Sequence, residues 1–331
     1  MNADGIANSK TLARHQLKWI ELVIFCAPVA AYFLFPSRFA LGTSIVVLGM
    51  FALSCDLIIG FAGVVTLGQA MYFGIGAYSA ALIAKYVCAE AISGAIMSAV
   101  ICAAVSAMLG PFLLRLTKLP LLMVTLGVSV LVYEAANKAV WLTGGADGLS
   151  EYRLSPLFGY FRSSIFGQTK YLYVLGWLTI VYYLTRRIVS SPFGVTLQGI
   201  RENPDRMLLI GCPTLSRLVV AYTIAGAIAG LAGAVSAQTD AFVGLGSLSI
   251  DTTLDGLVVT ILGGIGTVYG PLIGAPVYVL VKNFAQQWDP YYWMPAIGAL
   301  LVVVVRTGKA GLAELLDEAA NAIKRTIRRR S

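Results

Sequence analysis

The stretch VVTLGQAMYFGIGA (residues 64–77) has a looser echo in VVTILGGIGTVYGPLIGA (residues 258–275), and both lie inside strongly apolar sequence. Each is a hydrophobic segment interrupted by glycine. Backbone in lipid must satisfy its own hydrogen bonds, so irregular Gly-rich chain at membrane depth is tolerated only where protein or a water-filled cavity covers it. A matched pair of such segments, one in each half, points to a transport site. The competing account is close helix packing, because Gly and Ala let membrane helices approach one another.

Composition sets the class. Of 331 residues, 58% are hydrophobic and only 12% charged, with a mean hydropathy of +0.80; soluble domains carry about 25% charged residues. The expected fold is an all-α integral membrane protein in two loosely repeated halves with Gly-interrupted helices. A spanning helix needs about 20 apolar residues, which gives about ten segments: 19–35, 39–61, 66–84, 91–114, 119–137, 171–188, 215–237, 248–263, 267–283 and 291–306. The eighth and ninth, parted only by Gly264 to Gly266, read either as two spans or as one re-entrant element. Residues 1–18 form a tail, 19–306 the transmembrane domain and 307–331 a second tail.

Positive residues are retained on the cytoplasmic side. With the N-terminus inside, the inner set holds Lys10, Arg14, Lys18, Arg115, Lys118, Arg186, Arg187, Arg201, Arg206, Arg217 and the basic tail from Arg306 to Arg330. It outnumbers the outer set of Arg38, Lys85, Lys138, Arg153, Arg162, Lys170 and Lys282. Both termini are therefore expected in the cytoplasm. Trp288, Tyr291, Tyr292 and Trp293 suit an outer aromatic belt. The net charge of +8 follows from this bias, and no basic face with interleaved aromatics suggests nucleic acid.

Nothing resembles a catalytic or metal centre. The single histidine, His15, excludes a histidine metal site or a Ser-His-Asp triad inside the membrane. Cys26, Cys55, Cys88, Cys102 and Cys212 lack metal-type spacing and read as packing residues. No GxxxxGK[ST] phosphate loop is present, so the chain binds no cofactor and any ATP chemistry belongs to partner subunits. Asp56, Glu134, Asp251 and Asp255 lie in or near spans, where acids are functional by default. Asp251 and Asp255 fit a helix-start or interface role better.

Two loops stand out. TGGADGL (143–149) is a strong turn former. The inner loop, about 189–214, contains Arg201, Glu202, Asn203, Pro204, Asp205, Arg206 and Gly211, with a short polar helix expected near Asn203 and Pro204. The tail 311–330 places Leu312, Leu315, Leu316, Ala319, Ile323 and Ile327 at helical spacing, with acids early and bases late, and reads as an amphipathic helix against anionic lipid.

GIRENPDRMLLIGCPTLSRLVVAYTIAGAIAGLAGAV (199–235), together with GQAMYFGIGAYSAAL (68–82), MVTLG (123–127), LTGGADGL (142–149), SPFGVTLQGIREN (191–203) and LGGIGTVYGPLIGA (262–275), resembles the LivM-type permeases of branched-chain amino acid ABC importers. The chain departs from that pattern after the last span, where Arg306 to Leu312 replaces a Pro-Gly-Leu turn. The resemblance implies a bacterial inner-membrane subunit that pairs with a homologous second permease and two cytoplasmic ATPase subunits. An external, periplasmic or extracellular, binding protein would deliver leucine, isoleucine or valine. It implies ATPase coupling through Arg201 to Gly211. Gly68, Gln69, Gly74 and Gly76, with Gly263, Gly264, Gly266 and Thr267, are the expected substrate pathway, since exposed backbone and a few polar groups can solvate a zwitterion. Permeases of the same family for urea, short amides or aromatic acids share these motifs, and an ion-coupled secondary carrier is the reading from a different class.

Overall fold

The computed structural model describes residues 39–88, 90–116, 119–150 and 168–288, with 295, 297–299, 301–302 and 311–312. These residues are helical apart from turns and one isolated antiparallel bridge between Leu149 and Val243. The expected span at 19–35, most of that at 291–306, the belt residues Tyr291, Tyr292 and Trp293, and the amphipathic tail beyond Leu312 lie outside them.

Helix α1 (Phe39–Asp56) runs on as a π-helical turn over Leu57–Phe61. Its sequence is apolar all round, and 83% of its central window is buried; a helix without a polar face belongs in the interior. Helix α2 (Gln69–Tyr86) follows a break at residues 62–68, so the third expected span starts three residues later than its hydropathy suggested. The break is held by hydroxyls from other helices. Leu67 N–H donates to Thr125 Oγ1 at 3.2 Å, Ala70 N–H donates to Thr253 Oγ1 at 3.1 Å, and the Thr253 hydroxyl donates to the Leu67 carbonyl at 3.3 Å. Buried non-helical backbone is tolerated because each of these groups finds a partner.

Helices α3 (Ala91–Leu113) and α4 (Leu119–Lys138) are apolar but only 28% and 17% buried over their central windows. Met108, Phe112, Met123 and Leu131 are exposed, as expected of helices that face lipid or another subunit. A short helix α5 (Val140–Thr143) and a 3-10 turn (Gly145–Asp147) carry the predicted glycine turn, with Gly144, Gly145 and Gly148 all at positive φ. Helix α6 (Gln168–Ser190) leads to a helix pair, α7 (Pro192–Glu202) and α8 (Pro204–Leu209). Helix α9 (Thr214–Asp240) is the axis, packed on α1, α2 and α3. Helices α10 (Ile250–Gly263) and α11 (Gly270–Trp288) complete the bundle as two helices joined by a glycine turn.

Among the described residues four helices are long and apolar enough to cross a membrane: Phe39–Phe61, Ala91–Leu113, Leu119–Lys138 and Thr214–Asp240. Small residues bring them together. A Cβ on Gly76 would lie 2.0 Å from the Gly230 carbonyl oxygen, and one on Gly233 would lie 1.9 Å from that of Phe73. The α2–α9 crossing is thus backbone on backbone, the geometry that Gly permits in lipid.

Candidate functional site

The glycine turn of residues 264–266 meets the end of α1 and its π-helical turn, ahead of the segment 64–77. At the end of α1, Asp56 is 1% exposed and its Oδ1 accepts from the Gly266 N–H at 2.7 Å, which ties α1 to the turn between α10 and α11. Gly60, one turn on, makes this contact possible: a Cβ there would sit 2.1 Å from Asp56 Oδ1 and 2.5 Å from the Gly266 nitrogen. The Gly60 carbonyl in turn accepts from the Arg201 guanidinium of α7. Arg201 also lies against Gly63 and Gly266. One arginine of the predicted inner loop therefore touches both helix breaks.

The turn is built from its glycines. Gly264 and Gly266 have φ of 116° and 82°, a region in which a side chain is strained. The Thr267 hydroxyl donates to the Gly264 carbonyl at 2.7 Å, and Gly270 N–H donates to the Thr267 carbonyl at 2.9 Å. Gly263 packs on the Gly270 backbone, and the buried Gly311 packs on Gly263 and Gly264.

The first-half residues divide. Gly74 lies against Leu248 and Gly76 against Gly230, both as close helix contacts. Gly68 faces the Thr125 carbonyl, where a Cβ would sit 3.2 Å from the oxygen, closer than ordinary contact. Gln69, at the first turn of α2, is 1% exposed, and neither atom of its amide has a hydrogen-bond partner; the Thr66 hydroxyl, also buried, has none either. An unpaired buried amide costs about 1–3 kcal/mol, and Gln69 carries that cost among the described residues.

The inner loop is two helices rather than one. Asn203 Oδ1 accepts the Arg206 N–H at 3.0 Å and caps α8, with Pro204 at its first position and Asp205 in its first turn; both placements suit a helix N-terminus. Glu202, Asp205 and Arg206 are exposed, and Gly211, at φ 83°, turns the chain toward α9. Beside these charges stand Leu208, Leu209 and Ile210, of which Leu209 is 88% exposed. Their signal in the sequence was MLLI (207–210), an apolar run too short to span and set between polar residues.

Of the remaining acids, Asp255 has structural partners on the next helix. Ser249, not Asp251, caps α10 by accepting the Thr252 N–H at 3.3 Å. Asp255 Oδ2 pairs with Lys282 Nζ at 2.7 Å, and the Tyr278 hydroxyl donates to its other oxygen, which ties α10 to α11. Glu134 is exposed on α4. Among the described residues no group of three His, Cys, Asp or Glu side chains could hold a metal ion, and Cys55, Cys88, Cys102 and Cys212 are free thiols.

A helical bundle that joins two broken helices at one buried junction, and attaches an exposed helix pair to that junction, has the layout of a multi-pass membrane permease. The chain belongs to the family described as "Branched-chain amino acid transport system / permease component", matched over residues 37–305. It is similar to the high-affinity branched-chain amino acid transport system permease protein LivM of Salmonella typhimurium (strain LT2), at 27% identity over 281 residues, 78% of this chain and 66% of that protein. LivM of Escherichia coli (strain K12) is 26% identical over the same shares. A probable LivM of Methanocaldococcus jannaschii is 25% identical over 70% of this chain and 76% of its own. The chain thus spans just under two thirds of the Salmonella and E. coli relatives. Over 40% of its length it is also 26% identical to the autoinducer 2 import system permease protein LsrC of Photorhabdus laumondii, across 42% of that protein. No solved structure matches the chain.

Proposed function

We propose that this chain is the transmembrane, non-catalytic permease subunit of an ATP-driven importer of branched-chain amino acids. It works beside a homologous second permease, two cytoplasmic ATPase subunits and an external binding protein, in a bacterial inner membrane with both termini inside. Family membership supports the transport reading, and the names of three relatives support the substrate class.

The observation that carries the coupling is the contact of Arg201 with the Gly60 carbonyl and Gly266, beside the exposed Leu208, Leu209 and Ile210. Helix α8 and its apolar end enter a groove on an ATPase subunit, and helix α7 passes the movement through Arg201 to both helix breaks. Gly68, Gln69, Gly263, Gly264, Gly266 and Thr267 border the path, while Gly74 and Gly76 set the helix spacing beside it. The buried, half-satisfied carboxyl of Asp56 is what an ion-coupled carrier would offer instead.

The test uses the assembled complex in proteoliposomes. Leu209→Asp should prevent co-purification of the ATPase, whereas Arg201→Met should leave assembly intact and abolish substrate-stimulated ATP hydrolysis. Uptake driven by an ion gradient without any ATPase would refute the importer reading.

A further inference from the structure

At the end of the bundle away from Arg201, a cavity of about 140 Å³ opens between α1, α2, α9 and α10. Its floor is apolar: Val47, Leu48, Phe51 and Phe73, the two rings edge-on with centroids 5.1 Å apart. Its rim is polar: Thr43, Ser44, Ser236, Thr239, Asp240 and Thr252.

The rim has a direction. Thr43 and Ser44 donate to the carbonyls of Phe39 and Ala40, Thr239 to that of Val235, and Thr252 to that of Gly246. Ser236 donates to Asp240 Oδ2 at 3.2 Å. Every rim hydroxyl thus has an acceptor for its proton within the protein and keeps lone pairs that can accept from a donor-rich cation. The exposed Asp240 carboxylate adds the negative charge. A positive charge lies just outside this lining: Lys170 Nζ donates at 2.7 Å to the carbonyl of Thr239, a rim residue next to Asp240 in sequence. Among the described residues Lys170 and Asp240 form no salt bridge, and an ammonium with one bond made keeps two protons for another acceptor.

We propose that this cavity is a binding site for a zwitterionic α-amino acid with a small branched apolar side chain. Asp240 and the rim hydroxyls hold its ammonium, Lys170 holds its carboxylate, and the floor takes its side chain. The proposal rests on the amino-acid importer reading and adds the site at which the substrate first enters the chain. Volume supports the class: drug-sized ligands need about 300–1,000 Å³, whereas a cavity of about 150 Å³ accommodates a benzene-sized group. Phe73 lies four residues beyond Gln69 on α2, so the two share a helix face. The unpartnered Gln69 amide is then the next polar station, one turn past the phenylalanine floor.

The assembled importer in proteoliposomes, supplied with L-leucine, tests this site. Asp240→Asn and Lys170→Gln should each raise the KM for uptake by about tenfold or more, as loss of one partner of a close charge pair does, while Asp240→Glu and Lys170→Arg restore most of it. A second measurement is independent of turnover. In a Ser44→Cys variant, L-leucine should slow labelling by a polar thiol reagent, whereas 4-methylpentanoate, which lacks the ammonium, and 3-methylbutylamine, which lacks the carboxylate, should not. Wild-type KM in both charge-removing variants with normal leucine uptake would overturn the site and leave the importer reading standing. Uptake of no amino acid by the wild-type complex would overturn both.

Discussion

Replacing Gly60 by Ala strikes the junction of the two broken helices with a single methyl group. That methyl would lie 2.1 Å from Asp56 Oδ1 and 2.5 Å from the Gly266 nitrogen, where ordinary contact needs about 3.5 Å or more. Both partners must retreat by about 1 Å, and a 2.7 Å hydrogen bond then leaves the range of about 2.7–3.2 Å in which such bonds hold. Loss of a hydrogen bond costs about 0.5–1.5 kcal/mol, and overpacking adds about 1–3 kcal/mol. Asp56→Ala removes the same bond from the other side and leaves the Gly266 N–H unpaired, at about 1–3 kcal/mol. Because both changes remove one interaction, the double variant should recover about 1–3 kcal/mol relative to the sum of the two. The assay is a double-mutant cycle of apparent unfolding free energy for the purified complex in detergent. Additivity within about 0.5 kcal/mol, as for independent sites, would refute the junction.

Two further outcomes are expected. Gly76→Ala should destabilise the chain by about 1–3 kcal/mol, because its methyl meets the Gly230 backbone, whereas Gly127→Ala, with nothing within 4 Å, should stabilise α4 by about 0.5–1 kcal/mol; thermal unfolding of the two variants decides whether space or mere helix propensity governs these glycines. Asn203→Ala should cost α8 about 1 kcal/mol through loss of its cap, seen as faster hydrogen exchange at Arg206, while Asn203→Asp keeps the acceptor and the slow exchange.

Membrane character and most helix positions were legible in the sequence, because lipid imposes length and hydropathy so strictly; the partner of the Gly264–Gly266 turn, Asp56 with Gly60, lies ahead of the glycine segment that the sequence singled out. The glycine motifs carried two meanings that period alone cannot separate. At Gly264 and Gly266 the residue serves positive φ, while at Gly76 it serves a helix crossing whose other side, Gly230, lies more than 150 residues away. The start of α2 was misplaced because Thr66, Leu67 and Gly68 are apolar enough to continue a span. Only the hydroxyls of Thr125 and Thr253, from distant helices, make the break the better conformation. Arg201 was legible as an inner-loop charge, but its grip on Gly60 depends on a π-helical turn that no local signal announces. Asp255 read as a helix-start acid, and its partners Lys282 and Tyr278 sit on the next helix, beyond the reach of a local pattern.

Helix α10 has 14 residues, about 21 Å of length, against a hydrocarbon layer of about 30 Å. Residues 241–249, an irregular segment with one 3-10 turn fastened to residue 149 by the Leu149–Val243 bridge, lead into α10. Acyl chains offer such backbone no hydrogen-bond partner. If α10 crosses the bilayer, the flank that carries its entry must therefore abut protein rather than annular lipid. Helices α3 and α4, long enough to cross and with exposed apolar sides, are the ones suited to face acyl chains.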